Sequence, residues 1–390
     1  LNATHQAPHD PHMLRVAFAV VVSVHALIHL LGFVKGMGFA PVEALRIPIS
    51  RPMALLWLMA AVLLVAAVIA LFAAPRWFWV IGAVGLVASQ VAIVSSWGDA
   101  RFGTAGNALL LAAVVHGAFA WGPFGLRAEY QRLVRAGLAA AGAAPSGVVT
   151  EAALATLPAA VQRYLRFAGA VDRRRPLGFR ARMTGRIRGS ATAGWMPFEA
   201  EQVNLFAPPR RLFWMEATRA GLPIDGLHVY GETGASMRVR LLSMLPVVDL
   251  HGPEMTRAET VTILNDMAIF APGALVDPTI RWREIDASHV EATYTDGPHT
   301  IRAVLVFGDS GALVDFWSDD RPALAEDGRT MVPRRWSTPL RDHRMMGALR
   351  LATRGEGRYA EADGEYAYLE LEVLEVHEVT PGGMERAAAR

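Results

Sequence analysis

Two histidines, His25 and His29, sit four residues apart in the apolar stretch SVHALIHLLGF. Four residues is just over one helical turn, so both rings leave the same side of a helix. Imidazoles at this spacing can share one metal ion, but they cannot supply opposite axial ligands to one haem. Together with His116 they make a candidate metal or haem site. Two other uses compete with it: interhelical hydrogen bonding, worth about 1 kcal/mol per contact, and a proton or substrate path. A looser group, His5, His9 and His12, falls in residues 1–14, which read as a disordered tail.

Carboxylates offer a second chemistry. WSDDRPA places Asp319, Asp320 and Arg321 at the end of an expected strand. Adjacent strand residues face opposite ways, so the two carboxylates need not be partners. One of them could work with Glu254 or Asp266 as acid and base, since like-charge proximity raises one pKa. The plainer alternative is an Asp–Arg bridge closing a turn. In NDMAIFAP, Asp266 lies on a helix otherwise suited to burial, where it needs an Arg or a backbone donor. Arg321 and Arg341 are the expected partners. These five residues, Asp266, Asp319, Asp320, Arg321 and Arg341, form the candidate ligand-binding set. RRWSTPL holds Ser337 without a nucleophile-elbow pattern; a triad with His343 and Asp342 would have to be recognised by geometry. The sequence carries no Gly-rich phosphate loop, no HExxH and no EF-hand loop. With no cysteine, it also lacks disulfides, thiolate metal sites and Cys nucleophiles. No cofactor is specified.

The elements that position these residues come in two kinds. Of 390 residues 53% are hydrophobic, but unevenly so. Residues 1–145 carry nine Lys+Arg and four Asp+Glu; the rest carry 29 and 32. No folded module has the basic excess of a nucleic-acid footprint. Lys35 is the only lysine, and the Arg and Ala richness points to a GC-rich genome. Leu1 where Met is usual points to an unusual start codon or a trimmed chain.

Uncharged runs at 16–34, 52–74, 77–97 and 105–122 are each long enough to span a hydrocarbon core of ~30 Å. Several tryptophans lie near their ends, as an aromatic belt would. Short loops imply an up-down bundle over 15–125 with both ends on one side. Arg15, Arg76, Arg127, Arg132 and Arg135 on that side face Lys35, Arg46, Arg51 and Arg101 on the other, which leaves the face of the second part open. Counting ~1.5 Å per residue, His25, Gln90 and His116 all fall about 14 Å from the Lys35 side. Lys35, Arg51, Asp99, Arg101 and Asn107 can gather at that end. Intramembrane ionisable residues usually face the bundle interior.

Residues 126–150 read as a connector, whose first stretch is a helix leaving the membrane. TLPAAVQRYLRF then reads as a short helix capped by Thr156, with Val161, Tyr164, Leu165 and Ala168 on one face. From about 177 the period changes to two. About eleven strands are expected, separated by turn chemistry such as TDGPH, GDSG and EADGE. One helix interrupts them, opening on the capping box TRAE at Thr256 and closing at Pro272. It would cover a curved antiparallel sheet with Val261, Leu264, Met267 and Ala268. The expected fold is therefore a four-helix transmembrane bundle followed by an α+β domain at 151–390, an antiparallel half-barrel with a covering helix. Such mouths often enclose an apolar cavity.

The stretches HALIHLLGFVKG, SQVAIVSSWGDARFGTAGN, GPEMTRAETVTILNDMAIFAPGALVDPTIRW, SDDR and WSTPL resemble the bacterial DUF6544 family over most of the chain. The soluble part is similar, as fold analogy, to the LolA/LolB lipoprotein-carrier half-barrel. The resemblance implies a multi-pass protein of a bacterial inner membrane. The expected role is non-enzymatic: a carrier or sensor binding membrane lipid or another hydrophobic molecule. The alternative is a membrane enzyme or redox component built on His25, His29 and His116. A third reading makes the bundle an anchor for a protein-binding sheet.

Overall fold

The computed structural model describes residues 11–141, 147–362 and 364–380. His5, His9 and the side chain of His12 lie outside the described residues, as does most of the tail expected at 1–14. The chain divides into two compact units. One holds residues 1–129 with the short turns 220–222 and 242–244; the other holds the remainder.

Among the described residues, four helices of the first unit are long and apolar enough to cross a membrane. They are α1 (Pro11–Met37), α2 (Arg51–Ala73), α3 (Pro75–Ser95) and α5 (Gly103–Ala120), with a single turn, α4 (Trp97–Ala100), before the last. Pro52 and Pro75 stand in the first turns of α2 and α3, where the missing N–H has no intrahelical partner to lose. Buried residues recur on a narrow stripe of each helix, as in Ala54, Trp57, Ala60, Ala61, Leu64 and Ala67 of α2. The opposite faces expose Leu27, Leu55, Val62, Ile69 and Val87, as a lipid-facing surface does. Gly32 lets the Trp57 ring lie on α1: a Cβ there would sit 2.2 Å from the ring.

Asp99 is bound to backbone. Its Oδ2 accepts the N–H groups of Arg46 and Ile47 at 2.5 and 2.7 Å, which fixes the α1–α2 loop. Lys35 donates to the Leu45 carbonyl. The polar gathering expected at this end is thus made of backbone contacts, and Asn107 belongs to a different layer.

The second unit begins within α6 (Leu126–Ala140). This helix buries Leu126, Tyr130 and Val134 on one face, and a Cβ on Gly137 would come within 3.0 Å of Leu205. α7 (Glu151–Leu154) and α8 (Ala159–Ala168) follow. The expected face of α8 is buried: Val161, Tyr164, Leu165 and Ala168 are at most 2% exposed. Its N-cap is Pro158, while Thr156 donates to the Ala153 carbonyl in the preceding turn.

The strands are β1 (Gly178–Ile187), β2 (Met196–Phe206), β3 (Pro209–Arg219), β4 (Leu222–Gly231), β5 (Gly234–Leu241) and β6 (Leu245–His251). After α9 (Pro253–Phe270) come β7 (Ile280–Glu284), β8 (His289–Asp296), β9 (His299–Phe307), β10 (Leu313–Ser318), β11 (Ala323–Leu324), β12 (Met331–Val332), β13 (Trp336–Ser337), β14 (Leu340–Met346), β15 (Leu349–Glu361) and β16 (Gly364–Val379). One sheet runs β6-β5-β4-β3-β2-β1-β16-β15-β13-β10-β9-β8-β7, with β14 beside β15. All its described pairings are antiparallel, and its two ends, β6 and β7, do not join. This is the open half-barrel expected, with more strands than the eleven read from the sequence. The join of β5 and β6 carries Leu242 and Ser243 at positive φ, which turn propensity does not suggest for Leu.

α9 lies inside the curve. It starts one turn before the expected capping box, with Gly252 as N-cap and Pro253 in its first turn. Thr256 sits inside the helix, donating to the Gly252 carbonyl at 2.9 Å and accepting the Ala235 N–H at 3.0 Å. From Met255 to Phe270 every residue but Arg257 is buried. A helix buried all round is a core element, so α9 fills the concave face it was expected to cover like a lid.

Candidate functional site

α9 brings polar side chains into that core, and the sheet answers them. Glu259 and Asp266 lie seven residues apart, two turns along one side of the helix. Arg211 of β3 reaches both: Nη1 donates to Glu259 Oε2 at 2.9 Å and Nε to Asp266 Oδ2 at 2.8 Å. Gln202 Nε2 and Asn204 Nδ2, two residues apart on one face of β2, donate to the same Asp266 oxygen at 2.7 and 3.0 Å. His228 Nδ1 stands 3.4 Å from Glu259 Oε1. Tyr230 shares a hydrogen bond with Thr260 at 3.3 Å and donates to Asp296.

One guanidinium between two buried carboxylates divides them. Burial disfavours the charge of Glu259, yet Arg211, His228 and Arg321 together bring its pKa down to about 2. For Asp266 burial prevails over Arg211 and Asn204, and the charge of Glu259 adds to it, so its pKa is raised. Asp266 therefore has a buried cationic partner, as its position on α9 demands. That partner is Arg211 and not Arg321 or Arg341.

Arg321 serves another part of α9. Its Nε donates to Thr262 Oγ1 at 3.0 Å, its Nη1 donates to Tyr359, and its guanidinium lies 4.3 Å from the Trp336 ring centre. Arg341 pairs with Glu356 at 2.5 Å near the surface. Asp319 and Asp320 diverge, as strand alternation requires. Asp319 bridges Arg335 through two 2.9 Å bonds; Asp320 binds Arg257 at 2.5 Å and the Arg302 N–H at 2.7 Å. Neither forms an acid–base pair with Asp266 or with the exposed Glu254. The Ser337 triad is not assembled: His343 Nε2 bonds the Leu313 carbonyl at 3.0 Å and Asp342 faces Arg354 at 3.5 Å.

Beyond this network the concave face becomes apolar. Register places Phe198 and Ala200 of β2 opposite Ala217 and Met215 of β3, and opposite Gly185 and Met183 of β1. Phe198, Ala200, Met215 and Ala217 form a buried apolar cluster separate from the core around α9. Half-buried Ile187, Met196, Phe213, Ile224, Leu369 and Leu371 surround it. Met215 packs over Gly226 of β4: a Cβ there would lie 3.4 Å from its Cε. α9 bonds β2 through Gln202 and Asn204, β3 through Arg211 and β4 through His228 and Tyr230, so its polar edge borders this strip. A separate half-open hollow of about 300 Å³, lined by Arg173, Met346, Leu349, Val376 and Glu378 among others, shares no residue with network or strip.

The bundle holds a second polar group. His25 Nε2 lies 3.0 Å from Asn107 Oδ1 and 3.2 Å from Ser89 Oγ. Ser89 donates to Asn107 at 2.8 Å, and Asn107 Nδ2 donates to Gln90 at 2.9 Å. His29 Nδ1 bonds the His25 carbonyl at 3.0 Å. The residue level with His25 on α5 is thus Asn107, with Gly106 against the imidazole. His116, nine residues further, is about 13.5 Å along the helix; its Nδ1 is 3.1 Å from the Leu242 carbonyl. The depth count failed because α4 consumes a turn of chain, so α5 starts at the level of His25. The expected site of His25, His29 and His116 does not converge. Among the described residues no three His, Asp or Glu side chains stand close enough to share a metal ion.

Fold and site together define an open antiparallel half-barrel wrapped around a buried helix, carried on a chain with four apolar membrane-length helices. The chain belongs to DUF6544, a family of unknown function, whose profile matches residues 147–371. Among solved structures, it is similar to a DUF1329 family protein from Desulfovibrio piger ATCC 29098, with 10% identity and a TM-score of 0.30, covering 63% of this chain and 100% of that one. It is also similar to a LolA superfamily protein from Nitrosomonas europaea, with 11% identity and a TM-score of 0.27, covering 56% and 93%. A search of curated proteins finds no match.

Proposed function

We propose that the chain is a membrane-anchored, non-enzymatic binding protein of a bacterial inner membrane. Its half-barrel holds a lipid or another hydrophobic molecule, as a carrier or a sensor. The observation that supports this reading is the apolar strip beside α9. It occupies the concave face of a sheet, apart from the cluster around α9, and its flanking side chains are half-buried while Phe198, Ala200, Met215 and Ala217 are 1–7% exposed. Apolar surface gains about 25 cal/mol per Å² on leaving water, and the half-buried flanks, Ile187, Met196, Phe213, Ile224, Leu369 and Leu371, are the apolar surface a ligand would cover. The four apolar helices would hold the domain beside a supply of such ligands.

The test is organic extraction and mass spectrometry of the full chain purified in mild detergent, beside Ala200→Trp, which fills the strip. A lipid recovered with the wild type and depleted in the variant supports the reading. No lipid in either, or equal recovery from both, refutes it. Metal and haem analysis of the same sample tests the redox alternative. A stoichiometric metal lost in His25→Ala would make the bundle the active centre.

A further inference from the structure

Two turns of the sheet are both apolar and exposed. Residues 220–224 read AGLPI between Arg219 and Asp225, and 241–248 read LLSMLPVV between Arg240 and Asp249. The first turn joins β3 to β4 and the second joins β5 to β6. β4 and β5 are antiparallel, with Ile224 opposite Leu241, so both turns stand at the same end of the sheet. The join at the other end of β4 and β5 reads GETG, with Glu232 and Thr233 exposed.

Apolar side chains project from both tips. Leu222, Leu245 and Val247 are 41%, 54% and 59% exposed. Val247 has no partner in the β5–β6 register, which passes from Val239 opposite Val248 to Arg240 opposite Pro246; a bulge of this kind re-aims a side chain. Leu242 holds a φ of 55°, which Gly or Asn adopts with less strain. The turn therefore keeps an apolar side chain where local chemistry favours a small or polar one. Single exposed apolar residues are ordinary, but these share two adjacent tips. Below them the charges gather: Asp225 lies opposite Arg240, and Arg238 opposite Asp249, positions at which opposite charges pair across strands. Arg219, beside the first turn, has a stem long enough to carry its charge back to that level.

The company of these tips indicates what they meet. Ala220–Leu222 and Leu242–Met244 belong to the compact unit of the four apolar helices. Within it the Leu242 carbonyl stands 3.1 Å from His116 Nδ1 of α5, a helix that also turns Leu109, Leu111 and Val115 outward.

We propose that the two hairpin tips enter the interfacial layer of the lipid bilayer, with Leu222, Leu245 and Val247 among the acyl chains and the collar of Asp225, Arg238, Arg240 and Asp249 at the head groups. This rests on the reading of the four helices as membrane-spanning and adds a strand-borne attachment to it.

The sequence has no cysteine, so a single introduced cysteine carries a spin label at one known place. The full chain is reconstituted into vesicles of phosphatidylcholine and phosphatidylglycerol as Leu222→Cys, Leu245→Cys, Val247→Cys, Thr233→Cys and, on the outward face of α2, Val62→Cys. Collision of each label with oxygen, which concentrates in hydrocarbon, is compared with collision with a water-soluble nickel chelate. The three tip labels should be oxygen-dominated, like the label at Val62, and the label at Thr233 nickel-dominated. Tip labels that behave like Thr233 while Val62 stays oxygen-dominated overturn the proposal and leave the helices in the membrane. Tip labels shielded from both reagents also overturn it, because protein, such as a second copy of this chain, then covers them. A nickel-dominated label at Val62 overturns the membrane-spanning reading, and the proposal with it.

Discussion

Arg211 and Asp266 are 55 residues apart in sequence and 2.8 Å apart in the fold. The first lies on β3, the second on the helix that the sheet encloses, and Glu259 completes the bridge on the other arm of the guanidinium. This contact is one point at which α9 is fixed to the sheet by charge as well as by apolar packing.

Removing Arg211 should be severely destabilising. Arg211→Met leaves two buried carboxylates without their cation, a loss of about 3–5 kcal/mol. The deficit should shrink on acidification, because the orphaned carboxylates can take up protons. Thermal unfolding of the full chain in detergent at pH 7 and at pH 5 measures both effects. A variant as stable as the wild type at pH 7 would show that the bridge does not hold the helix.

Glu259 and Asp315 should shape acid stability in opposite directions. The pKa of Glu259 falls from 4.5 to about 2 on folding, so its contribution is present above pH 4.5 and is lost as pH falls towards 2. Burial raises Asp315 from 3.8 to about 6, so its contribution is present below 3.8 and is lost as pH rises through 6. Asp315 Oδ1 accepts the N–H groups of Phe316 and Thr338, and Asn can do the same. Asp315→Asn should therefore gain on the order of 1–3 kcal/mol relative to wild type between pH 4 and pH 7. A stability profile unchanged by the substitution would contradict the shift.

The neighbouring aspartates should differ, with Asp320 the costlier to remove. Asp319 and Arg335 are both largely exposed, and such pairs contribute about 0–1 kcal/mol. Asp320 also satisfies the Arg302 N–H, so Asp320→Ala should cost about 1–3 kcal/mol and Asp319→Ala less than 1. Chemical denaturation of the two variants decides it. A dominant effect of Asp319 on ligand recovery, without loss of stability, would restore it as a binding residue.

In the bundle, Asn107 should matter and His116 should not contribute to the same layer. Asn107→Leu removes the partner of His25, Ser89 and Gln90. Hydrogen bonds within membranes average ~0.6 kcal/mol, so a loss of about 1–2 kcal/mol is expected. A double-mutant cycle of Asn107→Leu with His25→Leu should show coupling, and one of His116→Leu with His25→Leu should show none. Coupling in the second cycle would refute the layer described above.

The sequence by itself determined the element types. Runs of about 20 uncharged residues can only be satisfied by helices of membrane length, and the change to period two near residue 177 announces the sheet. It also located the interrupting helix and the oddity of Asp266 upon it, because a carboxylate in an apolar helical run demands a partner. It could not choose that partner. Arg211 sits in RRLFWMEATR among many arginines, and only the register of β3 against β2 puts it, Asn204 and Gln202 on one face before Asp266. His228 was equally silent, since alternation in IDGLHVYG places it on a face without saying what that face meets.

Tertiary structure alone decided which residues share a level or a face over long sequence separations. Depth along the bundle failed for His116 because one turn of chain at Trp97–Ala100 shifts α5 against α1, and local pattern carries no record of such offsets. The division of the concave face into a filled part and an apolar strip was likewise undecided. Apolar periodicity reports that a face is buried, but what buries it follows from where α9 comes to rest.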